Sequence, residues 1–110
     1  MCDEIISEYI KRTYDPNPRK RKQALKDLCP CHVRQDIPQV WERIFEMLSD
    51  EEGIVRDQAL HALGDGSPRH LEERIVEAVE QLYNDPFPDV KKKARRMMNS
   101  YRKNGKWNIL

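Results

Sequence analysis

The residues best suited to chemistry are possible metal ligands in one short run, Cys29, Cys31 and His32. His70 is a further candidate. Structural zinc is usually held by four thiolate or imidazole ligands, with two residues between paired cysteines, whereas only Pro30 separates this pair. The same residues suit a helix end, because proline stops a helix and cysteine packs as a small apolar residue. A zinc site stays a hypothesis, and we expect no bound metal or other cofactor.

A nucleophilic site is the second chemistry to consider. The histidines, His32, His61 and His70, fall in separate parts of the chain, and no serine elbow or Gly-rich phosphate loop is present. We therefore predict that the protein is not an enzyme and has no small-molecule substrate. The sequence shows neither a signal peptide nor an apolar run of roughly 20 residues, and the three cysteines suit reduced thiols. These features predict a cytoplasmic protein without a membrane partner.

The elements that position these residues follow an internal repeat of 35 residues. Asp15, Asp50 and Asp85 are spaced 35 residues apart, and residues of matching type recur at the same offset around them. The matching sets are Arg21, Arg56 and Lys91; Ala24, Ala59 and Ala94; and Leu28, Leu63 and Met98. Before and after each aspartate, apolar residues recur at helical spacing. Each repeat therefore predicts two amphipathic helices.

Turn residues set the predicted limits of these helices. The repeat aspartates suit either a cap on the second helix or the turn before it, and Pro18 and Pro88 suit a first helical turn. The first helices are predicted at 2–13, 37–48 and 70–83, and the second helices at 18–29, 53–64 and 88–103. We interpret residues 1–110 as one domain with repeats at about 2–29, 37–64 and 70–103, and an irregular tail at 104–110.

The second helices carry a recognisable pattern of side chains. The matching residues are Asp50, Val55, Arg56, Ala59 and Leu63 in the second repeat, and Asp85, Val90, Lys91, Ala94 and Met98 in the third. This pattern resembles the HEAT repeat. Lys20 stands where the family has valine, which predicts a partly exposed helix at the end of a stack. The connectors at 29–33 and 65–69 are similar to those of small bacterial HEAT-repeat proteins.

The resemblance implies a fold and a binding surface. The fold would be all-α, a right-handed α–α superhelix of three antiparallel helix pairs and six helices, as in HEAT and armadillo solenoids. In such proteins the first helices form the convex layer and the second helices form the concave, ligand-facing layer. The resemblance also implies that Arg21, Arg56 and Lys91 pair with the repeat aspartates, so we set them apart from binding.

Charge is divided between the two helix layers although the net charge is only +1. The first helices of the second and third repeats are mainly acidic, and the second helices of the first and third repeats are mainly basic. The proposed binding face consists of Lys22, Lys26, Lys92, Arg95, Arg96 and Arg102. These cations predict a non-catalytic module that binds a protein partner, in particular an acidic one. Duplex DNA, bound through its phosphate backbone, is the alternative.

Overall fold

The structure is a computed structural model that describes residues 3–28, 37–64 and 68–104. The described residues form six α-helices and one short 3-10 helix, and they contain no strand. The α-helices are α1 (Asp3–Arg12), α2 (Pro18–Leu28), α3 (Pro38–Met47), α4 (Gly53–Gly64), α5 (Glu72–Gln81) and α6 (Pro88–Asn104). The all-α prediction is confirmed, and the six helices lie close to their predicted limits. The 3-10 helix, Arg69–Leu71, occupies the start predicted for the fifth helix.

The helices pack as three consecutive pairs. Within the pairs, α1 contacts α2, α3 contacts α4, and α5 contacts α6. Between the pairs, α2 packs closely against α4 and α4 against α6, whereas the first helices make fewer contacts with one another. One apolar core runs through all the pairs. Its largest fully buried side chains include Leu25, Leu28, Ile44, Leu60, Leu63, Ile75, Val79, Val90 and Met97.

Each repeat aspartate shapes the turn that leads into a second helix. The Oδ1 atom of Asp15 accepts a hydrogen bond of 2.8 Å from the backbone N–H two residues later. Asp50 and Asp85 accept equivalent hydrogen bonds at 2.9 and 2.8 Å. A carboxylate that binds its own backbone two residues on stabilises a tight turn. Of the two roles predicted for these aspartates, the structure shows the one in the turn.

The second helix of the first repeat differs from its counterparts at one core position. Val55 and Val90 are fully buried in α4 and α6, whereas Lys20, at the equivalent position of α2, is exposed. A long cationic side chain stays in water, because burying its charge without a partner is costly. None of the described helices combines the length and apolar character needed to cross a membrane.

Candidate binding surfaces

The predicted metal ligands are only partly within the described residues. Cys29, Cys31 and His32 lie outside them, so the geometry of the proposed cluster is not described. His70 lies in the 3-10 helix before α5 and is exposed. Across 3–28, 37–64 and 68–104, no group of three or more His, Cys, Asp or Glu residues is placed to hold a metal ion.

Arg21 and Arg56, which lie 35 residues apart, each form a bidentate ion pair with the aspartate of the following repeat. Arg21 donates from Nε and Nη2 to both carboxylate oxygens of Asp50, at 2.9 and 3.0 Å. Arg56 does the same with Asp85, with both distances 2.9 Å. The hydrogen bonds that Arg21 donates to Asp50 raise the pKa of Arg21. These arginines connect successive helix pairs, so they are not available to a partner. Lys91, at the third equivalent position, is exposed and has no ion pair with a described residue.

The cations of α6 that stay available lie opposite its buried side. Lys92 and Arg96 are exposed one helical turn apart, whereas Val90 and Ala94 are fully buried on the other side. On α2, Lys22 and Lys26 occupy the equivalent positions two repeats, or 70 residues, earlier. None of these four cations has an ion pair with a described residue. We call these four residues the basic face.

Arg95 and Arg102 differ from the other predicted face residues. Arg95 donates from Nε to the carbonyl of Tyr83 at 3.0 Å, and from Nη2 to Asn84 Oδ1 at 2.8 Å. Its guanidinium also lies over the Tyr83 ring, 4.5 Å from the centroid. Arg102 is exposed, but at 3.6 residues per turn it points about 80° away from Lys92. Lys103 points within about 20° of Lys92, and helical periodicity alone identifies it as a better candidate than Arg102.

A small hollow borders the basic face between α4 and α6. It has a volume of about 200 Å³ and is lined by Asp57, Asp89, Lys92, Lys93 and Arg96. Lys93 Nζ lies 3.0 Å from Asp57 Oδ1, and both side chains are mostly buried. This ion pair neutralises Lys93 and fixes it between the two helices. Lys92 and Arg96 line the same hollow without an ion pair to a described residue.

A larger cavity lies between α3 and α5. Its volume is about 610 Å³, which is in the size range of ligand pockets. The lining residues are Phe45, Leu48, Ser49, Asp50, Arg56, Arg74, Glu77, Ala78, Gln81, Leu82, Asp85 and Pro86. The sequence did not predict this cavity, because it depends on how far apart the first helices lie. Both apolar and charged side chains line the cavity, so it is a second candidate binding surface.

Arg74 closes one side of this cavity. Its guanidinium carbon lies 4.0 Å from the centroid of the Phe45 ring, and Nη2 donates to Glu42 Oε2 at 2.9 Å. The hydrogen bond from Arg74 holds the pKa of Glu42 below its ordinary value, and the same contact raises the pKa of Arg74. Both groups are therefore charged at neutral pH, and they largely neutralise each other.

Comparison with known proteins adds no assignment to these surfaces. No protein-family model, no curated protein and no solved structure matches the chain. The roles argued below come from the contacts and charges of the described residues.

Proposed function

We propose that the chain is a HEAT-type solenoid that acts as a non-catalytic module and binds an acidic protein segment through the basic face. One observation carries this proposal: Lys22, Lys26, Lys92 and Arg96 have no carboxylate partner among the described residues. Four other cations on the same layer do contact carboxylates or carbonyls, namely Arg21, Arg56, Lys93 and Arg95. Uncompensated charge on one face attracts and orients an oppositely charged partner.

The middle helix favours a protein partner over duplex DNA. At the α4 positions equivalent to the basic face, the residues are Asp57 and His61 rather than two cations. The positive charge therefore forms two separate patches, on α2 and α6, with a carboxylate between them. Packed helices lie about 8–10 Å apart, so the patches are roughly 16–20 Å from each other. A folded or extended protein segment with two acidic groups fits this pattern better than an uninterrupted phosphate backbone.

Charge reversal on α6 tests the proposed face. We expect Lys92→Glu with Arg96→Glu to weaken capture of the native partner by roughly tenfold or more, because attraction at this patch becomes repulsion. Arg95 is left intact, since its contacts hold the turn before α6. The measurement is a pull-down from the native cell with mass spectrometry, performed at two salt concentrations because screening weakens such contacts.

A control variant with the same change in net charge separates the face from general electrostatics. Lys11→Glu with Lys20→Glu alters two exposed lysines outside the basic face. Capture should survive in this control and be lost in the α6 variant, with helical circular dichroism unchanged in both. Equal capture by the two variants would reject the proposed face.

Nuclease treatment and a duplex-DNA mobility-shift assay at low salt distinguish the class of partner. Capture that resists nuclease, without a DNA shift, supports a protein partner. A salt-sensitive shift that disappears in the α6 variant would replace the acidic protein with nucleic acid as the ligand of the same face.

A further inference from the structure

The turn that borders the cavity between α3 and α5 differs in one respect from the two equivalent turns of the chain. Each repeat has a turn after its first helix, and Thr13, Leu48 and Tyr83 occupy the same position in the three turns. In two of the three turns, an arginine guanidinium binds the backbone carbonyl at this position. The middle turn, at Leu48, lacks this arginine and lines the cavity.

In the first turn the guanidinium comes from the next repeat. Arg43, on α3, donates from Nε to Thr13 Oγ1 at 2.7 Å and from Nη2 to the Thr13 carbonyl at 3.0 Å. Its guanidinium carbon lies 3.6 Å from the centroid of the Tyr14 ring. Only 13% of the Arg43 side chain is exposed. Arg43 therefore spans the gap between α1 and α3.

In the third turn the guanidinium comes from the same repeat. Arg95 donates to the Tyr83 carbonyl and to Asn84, and it stacks on the Tyr83 ring. Two different helices thus deliver the same chemical group to equivalent turns. This recurrence indicates that a guanidinium suits the backbone carbonyl and the adjacent side chains of such a turn.

The middle turn has neither arginine. Ala78 stands 35 residues after Arg43, and Leu60 stands 35 residues before Arg95. No described arginine donates a hydrogen bond to the Leu48 carbonyl. Leu48, its neighbour Ser49 and Ala78 all line the cavity. The cavity therefore occupies the place that Arg43 takes one repeat earlier.

The charge around the cavity also favours a cation. Its other charged groups are paired: Asp50 with Arg21, Asp85 with Arg56, and Arg74 with Glu42. Glu77 lines the cavity, is exposed and has no ion pair with a described residue. One carboxylate is therefore left without compensation beside an open space of about 610 Å³.

We propose that this cavity binds an arginine side chain of a partner protein. The guanidinium takes the position that Arg43 has in the first turn, contacts Glu77, and lies against the apolar wall formed by Leu48 and Leu82. Arginine fits because its planar group stacks on surfaces and donates several hydrogen bonds, whereas a lysine ammonium is a compact point charge. This site is separate from the basic face and does not depend on the function proposed for it.

An NMR titration with a short peptide tests the proposal. The probe is acetyl-Gly-Arg-Gly-amide, and the matched controls carry citrulline or lysine in place of arginine. We expect the arginine peptide to shift the amide signals of Leu48, Ser49 and Ala78 with millimolar affinity. The citrulline peptide should bind at least about tenfold more weakly, because it keeps the shape but loses the charge-assisted hydrogen bonds.

Two variants locate the binding within the cavity. Ala78→Arg supplies the missing guanidinium from α5, as Arg43 does from α3, and should abolish the titration while leaving the fold intact. Gln23→Arg adds the same charge at an exposed position of α2 away from the cavity and should leave the titration unchanged. If Ala78→Arg fails to fold, Glu77→Gln serves instead and should weaken the arginine peptide at least about threefold without affecting citrulline.

Several results would overturn the proposal. Equal shifts with arginine and citrulline would mean that the cavity does not recognise a guanidinium. Shifts that persist in Ala78→Arg would reject the site. The absence of any shift at a peptide concentration of about 10 mM, which exceeds the expected millimolar dissociation constant, would also reject it. Sedimentation at the same protein concentration is the last check, since a dimer that dissociates in Ala78→Arg would show that a second copy of the chain fills the cavity.

Discussion

The two seams between neighbouring helix pairs are alike in their ion pairs and different between their first helices. Both contain a buried, bidentate arginine–aspartate pair, Arg21–Asp50 in the first seam and Arg56–Asp85 in the second. Between the first helices, Arg43 fills the first seam, whereas the second contains a cavity beside Ala78.

This difference distinguishes a contact that recurs in both seams, the ion pair, from one that occurs in only the first seam, the arginine between the first helices. An ion pair that joins two turns and two helices has few replacements, so the same residue types recur 35 positions later. A gap between first helices tolerates either a long side chain or none, because the second helices already hold the pairs together. In this chain the space between the first helices is therefore where the two seams differ and where the cavity lies.

Removing the aspartate of either ion pair is expected to have the largest effect on stability. Asp85→Ala leaves Arg56 mostly buried without a counter-ion and should lower the free energy of unfolding by about 3 kcal/mol. Asp50→Ala should cost somewhat less, because 11% of the Asp50 side chain is exposed against 5% for Asp85. Urea denaturation of the two variants measures both values.

A double-mutant cycle isolates the ion pair from the turn. Asp85 also accepts a hydrogen bond from the backbone of Phe87, which the alanine variant loses. Combining Asp85→Ala with Arg56→Met removes the orphaned charge and should recover part of the lost stability. Strictly additive losses would show that the two side chains do not act as a pair.

Gly53 offers the next largest effect, and it belongs to the second seam. A Cβ atom at Gly53 would lie 2.2 Å from Cγ of Phe87, a ring in the following turn. Gly53→Ala should therefore destabilise the protein by about 2 kcal/mol through overpacking. In a Phe87→Ala background the same substitution should become nearly neutral, as judged by thermal unfolding. An equal loss in both backgrounds would place the strain elsewhere.

The sequence predicted the helices because their determinants are local or strictly periodic. Apolar spacing, Pro18 and Pro88 at helix starts, and the repeat aspartates locate six helices without any knowledge of their packing. The structural role of Arg21 and Arg56 was implied by the resemblance to the HEAT repeat. The exposed Lys20 followed from a single departure from the pattern.

The sites were harder to predict because they depend on distances between helices. Spacing did not reveal that Arg95 turns back toward Tyr83 rather than toward the basic face. Nor did spacing reveal the cavity. The sequence does show that a small residue, Ala78, stands 35 residues after the long side chain of Arg43, and this difference in size could have indicated an unfilled space. Residue type at an offset tells which positions correspond, but only the packed structure tells whether the space between them is filled.

Truncating the Arg43 side chain tests its role in the first seam. Arg43→Ala removes two hydrogen bonds to Thr13 and the stacking on Tyr14, so the free energy of unfolding should fall by about 1–2 kcal/mol. Arg74→Ala is the matched control in the second seam and should cost less, since 46% of its side chain is exposed. A larger loss of stability for Arg74→Ala than for Arg43→Ala would contradict the proposal that Arg43 stabilises the first seam more than Arg74 stabilises the second.

The smallest effect concerns the pH dependence of the second seam. Because Arg74 lowers the pKa of Glu42 in the folded state, folding favours the ionised carboxylate. The resulting stability is present at neutral pH and is lost as the pH falls through the folded pKa. Glu42→Gln should therefore unfold at a slightly lower temperature than the parent at neutral pH, and the difference should shrink as acid protonates the Glu42 carboxylate. The positions one repeat earlier are Ser7 and Gln39, which do not titrate, so any remaining acid dependence must arise outside this contact.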